Sequence, residues 1–278
     1  MQQNANRFRQ QGLGVVVITY DSVEILRDFS TRRNITIPLL SDPKSEMIRA
    51  FGILNTSVPP THLWYGVPYP GTFIVDQNGV VKSKYFEDLY SERYSAPTIL
   101  LREFGSVSGT RQTTVETKHL RFNYHSTHDV VHPGLRLTLG ADFQLPPKMH
   151  VYAPGNQNYI SIRLELDASP NYKALPVQYP KAEILYLSAI KERVPVYQGR
   201  FRVTQDITIA TGSVLQPIIA SNGELKISGK LRYQACDDQI CYLPETLPLE
   251  WTLKVESLDR ERVPEPIQHK PVPATEGR

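Results

Sequence analysis

Near Gln112 the chain changes its texture, and that break constrains the fold more than any other feature. Upstream, apolar segments of strand length and helix length alternate. Downstream, strand-length segments recur between Pro, Gly and Asn turns without a sustained helical period. The first pattern builds a sheet covered by helices and the second a sandwich of sheets, so the chain reads as two domains of different class. With 278 residues, 40% of them hydrophobic, it has the length and the apolar content for two ordinary cores.

In the first region, residues 1–105, Gly14-Val-Val-Val-Ile-Thr-Tyr20 is a continuous β-branched run, as expected of a strand covered on both faces. Asp21 is expected to cap a helix, with Glu24 at capping-box spacing and Ile25 and Phe29 on one face. Ile37–Leu40 reads as a second strand, and Asp42-Pro43 as the start of a helix ending at Gly52. Two further strands flank Asn78-Gly79, a hairpin signature, and a last helix is expected over about Ser95–Phe104. That order implies one mixed sheet with helices on its faces. Residues 1–12 lack the apolar core of a signal peptide and read as the last turns of an amphipathic helix closed by Gly12. A start in mid-helix suggests an upstream segment.

In the second region, residues 112–258, strands are expected at Thr113–Arg121, Leu135–Phe143, His150–Tyr152, Ile160–Leu166, Glu183–Leu187, Gly199–Ile209, Glu224–Ala235 and Leu249–Val255. Alternation such as Leu135-Arg-Leu-Thr-Leu argues for an all-β sandwich. The stretch 259–278, rich in proline and charge, reads as a disordered tail.

The only two cysteines, Cys236 and Cys241, lie in Leu231-Arg-Tyr-Gln-Ala-Cys-Asp-Asp-Gln-Ile-Cys-Tyr-Leu-Pro-Glu-Thr246. A strand runs into the first, four residues intervene, and the second leads towards another strand. A loop of that size between antiparallel neighbours can bring two Cβ atoms within bonding distance and leave both sulfurs near the sheet end. Spacing alone leaves a structural bond, a redox pair and half a metal site open. A short closed loop removes little unfolded-state entropy, which counts against a purely structural bond, and zinc lacks a second ligand pair. Asp237 and Asp238 place negative charge beside Cys236, which disfavours its thiolate.

Two resemblances sharpen this. "GLGVVVITYDS", "PLLSDPKSEMIRAFGIL" and "YPGTFIVDQNGVV" resemble the AhpC/TSA (peroxiredoxin) branch of the thioredoxin superfamily. The resemblance implies an incomplete thioredoxin-like fold, with Pro70 at a position that is usually cis. The family's reactive cysteine precedes this segment; none stands before Cys236, so the region is not a thiol peroxidase as written. "YQACDDQICYLPETLPLEWTLKV", with "MHVYAPG" upstream, is similar to the amino-terminal domain of the bacterial thiol:disulfide interchange protein DsbD. That resemblance implies an immunoglobulin-like sandwich whose reactive pair is Cys236 and Cys241, with Tyr152 and His150 as an aromatic pair beside it. A capping loop would fall near Ile190–Pro195. It also implies exchange with protein partners: electrons from a thioredoxin-like or membrane donor, delivered to oxidised substrate proteins without a bound cofactor. Cys241 is expected to form the mixed disulfide and Cys236 to resolve it. A protein-binding module with a structural disulfide is the alternative. The resemblance favours the periplasm, although no export signal opens the chain.

A net charge of +3 gives no reason to expect nucleic-acid binding. No apolar run approaches the roughly 20 residues that span a bilayer, and GxGxxG and P-loop patterns are absent. His125, His128 and His132 read as a solvated loop rather than a metal cluster, and the aromatics between Trp64 and Tyr69 as cover for an open core edge.

Overall fold

The computed structural model describes residues 1–59, 62, 67–86, 92–106, 111–155, 158–187, 191–258 and 261–268. They form two compact units: Met1–Leu100 with the described residues 261–268, and Leu101–Leu258. The elements in chain order begin with α1 (Ala5–Gln10), β1 (Val17–Thr19), α2 (Val23–Arg32), β2 (Leu39–Ser41) and α3 (Glu46–Ala50). They continue with β3 (Gly71–Val75), β4 (Val81–Phe86), β5 (Arg93–Tyr94) and α4 (Ala96–Phe104).

Local chemistry sets the helix ends. Gly12 and Gly52 take left-handed φ values of +78° and +68°. Each lets the following residue reach back, Leu13 N to Phe8 O and Ile53 N to Ile48 O, closing α1 and α3. The cap of α2 is Ser22, whose Oγ accepts from Ile25 N, and not Asp21 as expected. The Asp21 carboxylate is already engaged by the Thr19 hydroxyl, which leaves the next residue to cap. Asp42 caps from further away than expected: Oδ1 accepts from Glu46 N and Oδ2 from Ile48 N, with Pro43 in the turn before α3. Phe8, Tyr85, Ala96, Ile99 and Leu100 form the core of this unit.

The single mixed sheet expected here is not formed among the described residues. β1 and β2 pair in parallel, Val17 opposite Leu39, and β3 and β4 pair antiparallel around the Asn78-Gly79 turn. No described strand lies between the two pairs to join them. Asp76 fixes the turn by accepting from Asn78 N and Val80 N. The peptide bond before Pro70 is trans, a correction to the expectation of a cis bond. Its loop is held extended by Tyr69 N donating to Ile53 O and by a bridge between Leu54 and Pro68, and trans is the ordinary X–Pro preference. The aromatic stretch from Trp64 falls largely outside the described residues. Within the stretch read as a tail, Glu261 pairs with Arg32 and Arg33 and residues 265–267 form a 3-10 turn, while 259–260 and 269–278 lie outside the described residues.

The second unit is a β-sandwich. Its strands are β6 (Gln112–Glu116), β7 (Arg121–Ser126), β8 (Val130–Val131), β9 (Leu135–Gln144), β10 (His150–Tyr152), β11 (Arg163–Leu166) and β12 (Tyr172–Gln178). They are followed by β13 (Glu183–Leu187), β14 (Glu192–Gln198), β15 (Arg200–Ile209), α5 (Gln216–Ala220), β16 (Glu224–Tyr233), β17 (Ala235–Cys236) and β18 (Glu245–Val255). One sheet runs β12-β15-β9-β7-β6 and the opposing one β11-β16-β18-β8. Alternation drives the packing: in β16, Leu225, Ile227, Leu231 and Tyr233 point inward between exposed Glu224, Lys226, Lys230 and Arg232. They meet Leu137, Leu139, Ile207 and Trp251 in one core. The run Thr113–Arg121, read as one strand, is a hairpin, because Thr117 turns the chain: its N–H donates to Leu120 O and its Oγ1 accepts from His119 N and Leu120 N.

Of the histidine trio, His128 and His132 lie in the loops on either side of β8, but His125 does not lie in a solvated loop. β7 continues through Ser126, so His125 occupies a sheet position opposite Gly140, with its side chain fully buried. Its Nε2 lies 3.1 Å from Asp142 Oδ2. Gly140 makes the room, since a Cβ there would sit 2.4 Å from His125 Cε1. His128 is mostly buried, which pushes its pKa down to about 4, and His132 Nδ1 meets Glu256 O at 3.0 Å.

Candidate functional site

A third, smaller sheet, β13-β14-β10-β17, carries the cysteines. Gln234 marks where the chain leaves one sheet for the other: β16 pairs with β18 up to Tyr233, and β17 pairs with β10 from Ala235. The turn beyond Cys236 reverses the chain at once. Asp237 N donates to Ile240 O and Tyr242 N to Ala235 O, which makes Cys236 and Cys241 the non-hydrogen-bonded pair between them. That is the closer of the two antiparallel pairings. Their Cα atoms are 4.0 Å apart and the sulfurs are bonded, with S–S 2.06 Å.

Asp237 builds the turn. Its Oδ1 accepts from Gln239 N and Ile240 N, both at 2.8 Å, and its Oδ2 from the Tyr242 hydroxyl at 2.8 Å. The backbone donors Ile240 N and Gln239 N, followed by that hydroxyl, hold its carboxyl below the usual carboxylate range. The Tyr242 ring in turn stacks on His119 at 3.9 Å. The negative charge expected beside Cys236 is therefore largely committed to the loop's own donors, while Asp238 is exposed.

The two sulfur-bearing residues differ sharply in access. Cys236 is 1% exposed, whereas Cys241 is an exposed residue. The expectation that both stand free at the sheet end holds for Cys241 alone. Cys236 is buried in one apolar cluster with Tyr152, Val194 and Val196, against which Leu185 and Leu187 of β13 pack. Of the Ile190–Pro195 region expected to cap the pair, Ile190 lies outside the described residues and Glu192–Pro195 belong to β14.

β10 supplies the other two expected residues. His150 stands in register with Cys236, and Tyr152, two residues along the same face, places its hydroxyl 3.4 Å from Cys241 Sγ. The Tyr152 ring stacks on Tyr159 at 4.3 Å, and the Tyr159 hydroxyl donates to Glu192 Oε2 at 2.6 Å. Tyr159, Glu192, Tyr242 and His119 escaped the sequence reading. Tyr242 alone carried a local signal, its place next to Cys241; His119 comes from the turn between β6 and β7, Tyr159 from the connection between β10 and β11, and Glu192 from β14. Among the described residues no cluster of His, Cys, Asp and Glu suits a metal ion. Nor is any described helix long and apolar enough to cross a membrane.

Comparison with known proteins divides the chain in the same two parts. The AhpC/TSA family model matches residues 1–84. The model of the thiol:disulfide interchange protein DsbD, N-terminal, matches residues 123–250. A putative peroxiredoxin of Mycobacterium tuberculosis is 36% identical over 87 residues, 30% of this chain and 52% of that protein. The chloroplastic peroxiredoxin Q of Sedum lineare is 28% identical over 95 residues, 34% of this chain and 48% of that protein. The chain thus spans about half the length of the curated relatives it matches. The N-terminal periplasmic domain of ScsB from Proteus mirabilis aligns with a TM-score of 0.35 and 14% identity, covering 54% of this chain and 52% of that one. The chain is thus similar to the AhpC/TSA family over residues 1–84 and to the DsbD amino-terminal family over residues 123–250.

Proposed function

We propose that the β-sandwich passes electrons between protein partners by thiol–disulfide exchange at Cys236–Cys241, with Cys241 as the sulfur that partners attack. The observation that supports this is the unequal exposure of the two cysteine residues, Cys236 at 1% and Cys241 exposed. In the accepting half-reaction, a donor thiolate bonds to Cys241 Sγ and the Cys236–Cys241 bond breaks, releasing Cys236 as thiolate. The donor's second thiolate then displaces Cys241, so the donor leaves as a disulfide and the domain as a dithiol. In the delivering half-reaction, Cys241 thiolate attacks an oxidised protein, and Cys236 resolves the mixed disulfide and restores the starting bond. The donor is taken to be thioredoxin-like or membrane-borne. Residues 1–105 take no thiol part, because both cysteines of the chain lie outside them. The division into residues 1–105, 112–258 and a tail belongs to this reading.

The test is trapping with single-cysteine variants. C236S keeps the accessible sulfur and is expected to hold a stable mixed disulfide with a resolving-cysteine variant of thioredoxin, while C241S is expected to trap none. Equal trapping by both variants would overturn the assignment. A wild-type bond that reduced thioredoxin leaves intact, with a potential below about −300 mV, would make the disulfide structural and the domain a binding module.

A further inference from the structure

We propose that His150 is the hydrogen-bond donor and proton partner of the Cys236 thiolate set free when the disulfide opens. The proposal deepens the exchange reading and rests on it for its biological use, while its chemistry can be tested on the isolated protein.

His150 is fully buried, at 0% exposure, and among the described residues neither ring nitrogen has a hydrogen-bond partner. An imidazole in that position has given up its bonds to water and received none in return, which is uncommon for a buried polar group. Its place is specific. It stands opposite Cys236 across β10 and β17, so both side chains leave the same face of the sheet with Cβ atoms about 4.5–5.5 Å apart. In the disulfide state Cys236 Sγ carries no charge and makes a poor acceptor, so the imidazole waits unpaired. When a thiolate attacks Cys241, the breaking bond leaves an electron pair and a full negative charge on Cys236 Sγ, on a residue 1% exposed within the apolar cluster of Tyr152, Val194 and Val196. A buried anion of this kind is costly unless a donor meets it. His150 is the titratable group in register with it, and the other site groups are already bonded. Tyr152 faces Cys241, and the Asp237 carboxylate is held by Gln239 N, Ile240 N and the Tyr242 hydroxyl.

The balance closes without a further reactant. The donor dithiol supplies two electrons and two protons; one proton ends on Cys241, and the other is shared between Cys236 and His150. The groups facing His150 are consistent with this. Asp237 and Asp238 face it from the cysteine loop, Tyr152 meets it edge-on at 5.5 Å from its own strand, and its register partner on β14 is the uncharged Gln198. Burial lowers its pKa, against the opposing pull of Asp238 and Asp237, which keeps it neutral beside the intact disulfide. A thiolate beside it shifts that balance towards the imidazolium.

The experiment uses chemically reduced protein and needs no partner. In a C241S background, where Cys236 is the sole thiol, thiolate absorbance at 240 nm is followed against pH with and without His150→Phe, which keeps an aromatic ring in the buried slot. The acid dissociation constant of Cys236 is expected to fall at least tenfold on loss of the imidazole. An unchanged constant overturns the proposal. Because the Phe variant can fail to fold, the wild-type protein gives a second readout: the His150 imidazole, followed by NMR, is expected to titrate higher in the TCEP-reduced than in the oxidised protein. Identical titrations overturn the proposal as well. A disulfide that reduced thioredoxin cannot open refutes the exchange reading by itself and leaves both titrations to be judged on their own.

Discussion

Reducing Cys236–Cys241 is expected to cost the sandwich little. The bond closes a loop with a sequence separation of 5. On the chain-entropy relation, about 6 residues in the closed loop correspond to about 2 kcal/mol at 25 °C, against about 4.7 kcal/mol for a loop of 100. The folded reduced loop has independent supports. Asp237 still accepts from Gln239 N, Ile240 N and Tyr242, Tyr242 N still donates to Ala235 O, and Gln234 Nε2 still donates to Tyr242 O. None of these bonds involves sulfur. By linkage, about 2 kcal/mol places the potential of the folded pair about 45 mV below that of the same pair in the unfolded chain, at about 30 mV per 1.4 kcal/mol. Urea melts of oxidised and TCEP-reduced protein, followed by circular dichroism and tryptophan fluorescence, measure the difference directly, and glutathione equilibration gives the potential. The expected result is two cooperative transitions of equal slope displaced by about 2 kcal/mol. A reduced protein that is unfolded, or weakened by more than about 4 kcal/mol, would refute the reasoning and return the bond to a structural role.

Three other expectations follow from single contacts. Asp237 has a depressed pKa in the fold, so the order it gives the loop is present above its unfolded value of about 3.9 and is lost as pH falls through the lower folded value. NMR shifts of the Gln239 and Ile240 amides should report one common midpoint below 3.9, and a midpoint at or above it contradicts the hydrogen bonds described. Gly140→Ala would drive a methyl to within 2.4 Å of the buried His125 ring, a clash expected to cost about 1–3 kcal/mol by chemical denaturation. An unaltered midpoint would mean that the ring moves freely. Tyr152→Phe removes the hydroxyl 3.4 Å from Cys241 Sγ. At about 0.5–1.5 kcal/mol for a neutral hydrogen bond, the alkylation rate of reduced Cys241 should change by about 2- to 10-fold. No change would show the contact to be incidental.

Sequence reading recovered the parts of this molecule that rest on local chemistry. The stops at Gly12 and Gly52, the hairpin at Asn78-Gly79, the strands with clean alternation and the cysteine pair are all set by residues within a few positions of one another. What it missed depends on partners far along the chain. His125 looked like part of a loop because its burial comes from Gly140 across the sheet. Asp237 looked like a charge on Cys236 because the direction of its carboxylate is decided by the turn it closes. The apolar cluster in which Cys236 is buried draws on β10, β13 and β14, some 40 or more residues earlier, with nothing in the cysteine segment to announce it.

That concealment also has a bearing on fidelity. In the proposed exchange, while Cys241 holds a guest, a stray thiol from bulk solution would find the buried Cys236 out of reach and would have to compete for the bond from outside. Cys236 needs only to turn towards a neighbour whose Cα lies 4.0 Å from its own. On the proposed exchange, the burial of Cys236 would thus favour return of the original bond over scrambling with bystanders, a selectivity produced by shape and not by any feature of the guest.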